Sequence, residues 1–236
     1  MTDGAGRARY AVYYAPAQHS PWWNFGAGWL GRDEVRDTAL PQTALVQLAQ
    51  GELERITAEP RRYGFHATLK APFRLHTDAS AEELERRMRF VARSLRPVPL
   101  GVLVPVFMDG FVALVPSQVT PAVGALAGAC VAELDDLRAP VTQADRERRH
   151  SEQLDERGRE LLECFGYPLV MERFRFHMTL TGRVDSGLAG SIVAHVARPL
   201  AHLNAAAPPV LDRLCLFVES SPGAPLHRVA EAVLGE

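Results

Sequence analysis

Phe174-Arg175-Phe176-His177-Met178-Thr179-Leu180-Thr181-Gly182 carries the reading of this chain. At period two, Phe174, Phe176, Met178 and Leu180 share one face, and Arg175, His177, Thr179 and Thr181 share the other. A strand with one side on a core and the other on a polar space reads this way. A second stretch repeats the design: Tyr63-Gly64-Phe65-His66-Ala67-Thr68-Leu69-Lys70. There His66, Thr68 and Lys70 face away from Tyr63, Phe65, Ala67 and Leu69. Each stretch holds an aromatic residue, a histidine, a threonine two residues on, and a leucine. A single His-x-Thr-Leu carries little information, whereas two in matched surroundings, each with a basic residue on the histidine's face, point to a shared site.

The rest of the chain sets bounds on that site. At 236 residues, with 47% hydrophobic and 23% charged side chains, it has the length and composition of a globular protein with a full core. A formal net charge of −2 gives no broad basic surface for an extended nucleic acid. Cys130, Cys164 and Cys215 are far apart in sequence, which fits neither a disulfide framework nor a zinc knuckle. No apolar run of about 18 residues spans a membrane, and none opens the chain as a signal sequence. A soluble, cytoplasmic protein without membrane contact is expected.

Taken in order, residues 1–8 read as a loose end and Tyr10–Ala15 as a first strand. Residues 18–31 hold Trp22, Trp23 and Trp29 among glycines and read as a loop. It either folds over a site or plugs the edge of the core, and the second is favoured. Arg32–Glu59 reads as two helical pieces broken at Pro41. Ser80-x-x-Glu83 opens an amphipathic helix, with Leu84, Met88, Val91 and Leu95 on its buried side. Met108-Asp109-Gly110 turns a hairpin whose first strand, containing Pro105, belongs at an edge. Helices are expected from Thr120-Pro121 to about Leu137, over Arg146–Phe165 with its arginines solvated, and over Ser186–Leu203. A strand occupies the second half of Val210–Val218, and a last helix is expected over Pro225–Leu234.

Two histidines facing one pocket, each with a hydroxyl about 6.5–7 Å along its strand, suit an anion of phosphate size. A histidine pKa near 6.5 lets one imidazole accept a proton while the other donates one, each role worth about 10²–10⁴-fold. Hydroxyls and nearby cations then hold the oxygens that gain charge. The scheme needs neither metal nor cofactor, and neither histidine has a carboxylate beside it on its face. Each histidine taken alone is as well explained by a structural role.

Pro60-Arg61-Arg62-Tyr63-Gly64-Phe65-His66-Ala67-Thr68-Leu69-Lys70-Ala71-Pro72-Phe73 and the segment Phe174–Gly182 resemble the paired His-x-Thr/Ser motifs of the two-histidine (2H) phosphoesterase superfamily. The chain is most similar to a bacterial branch of it associated with phosphonate-utilisation genes. Tyr10–Pro16 and Gly166–Pro168 extend the likeness over nearly the full length. The resemblance implies an α+β fold: one domain, 1–236, of two similar lobes of antiparallel sheet and helices around a cleft. Each lobe supplies one motif, 66–68 or 177–179. It also implies a metal-independent phosphodiesterase, a phosphoric diester hydrolase acting on a small cyclic phosphate. His66 and His177 would be catalytic, and Thr68 and Thr179 would bind phosphate. Lys70, Arg175 and Thr181 are candidate substrate contacts from strand alternation alone. RNA-end processing or 2′-5′ ligation is a rival that the charge balance disfavours. A nucleotide- or phosphonate-binding protein without turnover is another, disfavoured by two intact histidines. The expected partner is a small phosphorylated substrate.

Overall fold

Ala11–Tyr14 is buried on both faces because it lies inside a sheet. The computed structural model describes residues 8–42, 48–49, 51–118 and 120–236. In it Arg9–Tyr14 forms β1. Ser20 then caps α1, Pro21–Leu30, its Oγ accepting the Trp23 N–H at 3.2 Å. Gly31, at φ 75°, ends the helix in the left-handed region that glycine enters without strain. The tryptophan segment is thus a helix, not the loop expected. Ser-Pro at its start and Gly at its end were the signals, obscured by three further glycine and small residues within it. All three tryptophans are buried and act as core plugs, as favoured above.

Arg32–Asp33 and Thr38–Ala39 follow as β2 and β3, a short hairpin in place of the expected helix. Asp33 Oδ1 accepts the N–H groups of Val35 and Arg36, offering the backbone a turn that competes with helix. Residues 43–47 and 50, which belong to the same expected helical region, lie outside the described residues, as do 1–7 of the expected loose end. Next come α2, Glu52–Arg61, and β4, Ala67–Phe73, which carries the first motif. Helix α3, Ala81–Ser94, is capped by Ser80 as predicted. Short β5, Val98–Pro99, precedes the hairpin of β6, Leu103–Met108, and β7, Phe111–Pro116. Asp109 and Gly110 both have positive φ, as a two-residue hairpin turn matched to strand twist requires.

Helix α4, Pro121–Ala132, gives way to a 3₁₀ turn at Asp135–Leu137. The expected long helix over Arg146–Phe165 is two: α5, Gln143–Arg148, and α6, Glu156–Phe165. They are separated by His150 at φ 48°, and Asp155 caps α6 afresh. The second motif supplies only a short β8, Met178–Thr179, after which α7 runs Ser186–Ala206. Short β9, Val210–Leu211, leads to β10, Arg213–Glu219. The expected closing helix is instead β11, Leu226–Val233. Its backbone finds partners along the whole of β10, which outweighs a helical propensity that a two-turn segment cannot realise alone.

The architecture is mixed α+β with antiparallel sheets. Strands order β11-β10-β1-β4 in the four-stranded sheet and β6-β7-β8 in a three-stranded one. Helices α3 and α4 pack on the first sheet and α7 on the second, and one apolar cluster runs through both. Strand β6, with Pro105, is an edge, as its proline predicts. On the other face of β1 and β10, Tyr13, Cys215 and Phe217 form a small separate cluster with Tyr63. That face becomes one wall of a cleft.

Candidate functional site

The two motifs meet. A cleft of about 730 Å³ is lined by His66 and Thr68 from the first sheet and by His177, Thr179 and Thr181 from the second. A neighbouring depression of about 590 Å³ shares Thr68 and His177 and extends to Arg175.

Each histidine is held by the same local device. His66 Nδ1 lies 2.9 Å from the Gly64 carbonyl, and His177 Nδ1 lies 2.8 Å from the Arg175 carbonyl, two residues back in both cases. A carbonyl only accepts, so in both rings Nδ1 carries a hydrogen and donates it, which leaves Nε2 outside that bond. Gly64, at φ 73°, provides the backbone bend at the first site. His66 Nε2 stands 3.4 Å from the Thr68 hydroxyl. The His66 ring stacks on Tyr13 at 3.9 Å and 25°, while His177 tilts against Phe111 at 5.9 Å. Burial pushes the His66 pKa down to about 4, the Gly64 carbonyl opposes this, and His177 adds a small further lowering. His66 is therefore a neutral acceptor at pH 7.

The remaining expected contacts divide. Lys70 is buried away from the cleft, its Nζ donating to Asp135 Oδ1 at 2.8 Å and to the Val131 carbonyl at 3.2 Å. A register shift explains it: Tyr13 pairs with Thr68, but Val12 pairs with Lys70. One extra residue, Leu69, turns the strand, and Ala71 takes the cleft-facing place that strict alternation gives Lys70. Arg175 is exposed at the rim. Thr181 is fully buried, and its Oγ1 accepts the Val112 N–H at 3.0 Å, so it fastens the second motif to β7. Trp29 Nε1 donates to the Leu180 carbonyl at 2.7 Å, a second fastening.

Several lining residues were placed elsewhere by sequence reasoning or not singled out by it. Tyr13 and Tyr63 line the cleft, although parity assigned Tyr63 to the core, because the bend at Gly64 interrupts alternation before His66. Arg148 and Arg149, read as a solvated face, also line it: Arg148 remains exposed at its edge, and Arg149 lies over the Tyr167 ring. Arg61 and Arg62, just before the first motif, are tethers: Arg61 Nε donates to the Leu30 carbonyl, and Arg62 lies beside Glu219. Among the described residues no group of three or more His, Cys, Asp or Glu side chains is arranged to hold a metal ion. No described helix is long and apolar enough to cross a membrane.

Fold and cleft together define a class: an α+β protein whose two antiparallel sheets each present a histidine and a threonine to a common cleft. The chain belongs to the family described as "Protein of unknown function (DUF1045)", which matches residues 68–227 and so takes in Thr68, His177 and Thr179. It is also similar to two curated proteins named "Ribose 1,5-bisphosphate phosphokinase PhnN". One is from Janthinobacterium sp. (strain Marseille), 38% identical over 221 residues, covering 92% of this chain and 49% of that protein. The other is from Laribacter hongkongensis (strain HLHK9), 38% identical over 218 residues with the same coverages. The chain thus spans about half the length of the curated relatives it matches. These names overturn the expected phosphoric diester hydrolase. A phosphokinase transfers a phosphoryl group, so the phosphodiesterase reading, its cyclic-phosphate substrate and its RNA-processing rival are set aside.

Proposed function

We propose that the cleft binds a phosphorylated ribose through His66, Thr68, His177 and Thr179, and that this chain is the sugar-phosphate-recognising partner of a phosphokinase activity. The observation that carries the reading is the matched lock on the two imidazoles, each held through Nδ1 by a carbonyl two residues back, in one cleft. Phosphate monoesters have a second pKa near 6 and are partly protonated around neutrality. The neutral His66 Nε2 accepts a hydrogen bond or proton from such a group or from a sugar hydroxyl. The Thr68 and Thr179 hydroxyls donate to its oxygens.

Nucleotide-binding kinases present a lysine to the donor's phosphates. This chain's only lysine, Lys70, is buried and held by Asp135, which favours a role on the sugar side of the reaction. The gene-product name PhnN of the relatives accords with a place in phosphonate use. The finer architecture belongs to the same proposal: one domain over 1–236, with two pseudo-symmetric lobes of the two-histidine type.

Calorimetric titration with ribose 1,5-bisphosphate and ribose 5-phosphate, in EDTA, tests the reading. Loss of one hydrogen bond to a charged ligand costs about 1.5–3 kcal/mol, so His66→Ala and His177→Ala should each weaken binding about 10- to 100-fold. Wild-type protein that binds neither sugar phosphate, or variants that bind as wild type does, would refute it.

A further inference from the structure

The wall of the cleft beside Tyr13 and His66 carries a group of arginines, and Glu59 and Asp109 also line the cleft. Arg9, Arg148 and Arg149 all line it. Arg9 is paired with Glu219, and Arg148 with Asp145. Arg149 forms no ion pair among the described residues. Its guanidinium lies over the Tyr167 ring at 4.5 Å, and its Nε is buried without a hydrogen-bond partner. A guanidinium with no carboxylate partner keeps its full charge for whatever enters the cleft that it lines.

We propose that Arg149, flanked by Arg148 and Arg9, forms a second anion subsite, so that the cleft takes a sugar carrying two phosphate groups. One phosphate sits between the His-x-Thr pairs and the other on Arg149. The identity of the sugar rests on the ribose-phosphate reading; the subsite itself does not. Arg148 lies close enough to both Arg9 and Arg149 to feel their charge. Burial, then Arg9 and then Arg149, hold the Arg148 pKa below its ordinary value. Glu219 holds the Arg9 pKa up, so Arg149 is the member of the group without a carboxylate of its own among the described residues. The site is also pre-formed for such a ligand: the Tyr167 ring fixes the plane of the Arg149 guanidinium, and a planar fork suits a phosphate edge. Arg149 itself is the residue at which α5 ends. The left-handed turn at His150, immediately after Arg149, is a conformation that non-glycine residues rarely adopt.

Titration calorimetry on the full chain, with wild type, Arg149→Gln and Arg149→Lys, provides the test. Each variant is first checked for a cooperative thermal transition. Wild type should bind ribose 1,5-bisphosphate at least about 10-fold more tightly than ribose 5-phosphate. Arg149→Gln should abolish most of that preference while leaving ribose 5-phosphate within about 2-fold, and Arg149→Lys should retain part of it. Equal affinities in wild type, or equal losses for both sugars in Arg149→Gln, would overturn the second subsite. Inorganic phosphate, followed by ³¹P NMR, separates the two readings. Phosphate binding that weakens in Arg149→Gln supports the subsite even where no sugar phosphate binds, in which case only the ribose assignment fails. Phosphate binding that is absent, or unaffected by Arg149→Gln, overturns it.

Discussion

His66 offers a pH-dependent contribution to stability that can be isolated from every other titrating group. Its ring is enclosed by Tyr13, Tyr63 and Phe217, and burial lowers its pKa from 6.5 to about 4. Between these values the unfolded chain holds a proton at this position that the folded chain does not. Stability therefore rises with pH across the window, is fully present above about 6.5, and has lost this contribution below about 4. The full interval of about 2.5 pH units corresponds to about 3 kcal/mol, and the side of the ring open to the cleft reduces that to about 2 kcal/mol. The perturbation is His66→Gln, which removes the titrating group while keeping a polar side chain. Urea unfolding from pH 4 to 7.5 gives the stability of each protein, and the difference between them cancels all other groups. Wild type should lose about 2 kcal/mol more than His66→Gln between pH 7 and pH 4. The two curves running parallel would refute the reasoning, as would an NMR titration of the His66 ring with a midpoint near 6.5.

Two further predictions concern what holds the site in place. A Cβ built on Gly26 lies 2.0 Å from Phe65 Cγ, so Gly26→Ala must displace the ring next to His66. Overpacking of this kind costs about 1–3 kcal/mol, which a melting curve should register as a fall of several degrees, with weaker sugar-phosphate binding in the same protein. Lys70→Met should lower stability by about 1–3 kcal/mol, less than loss of an isolated buried pair because Asp135 keeps Arg138 at 3.0 Å. It should leave sugar-phosphate affinity within about 2-fold, and a large loss of affinity with intact folding would return Lys70 to the cleft.

Local chemistry was legible wherever it needed only neighbours along the chain. The Ser80 cap, the Asp109-Gly110 turn, the edge position of Pro105 and the alternation of the second motif all follow from backbone sterics and short-range hydrogen bonds. So did the pairing of two His-x-Thr stretches, because a repeated polar face signals a shared purpose whatever lies between the repeats. Sequence also favoured the burial of the three tryptophans.

The tertiary structure decided what depends on a distant partner. The segment at Leu226 is a strand because β10 supplies hydrogen-bond partners along its length, and no periodicity within the segment contains that fact. Lys70 left the cleft because β4 gains a residue against β1, a shift in register that belongs to the pair of strands. Arg149 lines the cleft because the end of α5 packs beside Tyr167, a contact with a residue beyond α6. The sequence thus determined which residue types were available and how each short stretch could fold. Packing between remote segments decided which side chains share the cleft and which imidazole is kept neutral, because burial and register are properties of contacts that the linear chain does not yet have.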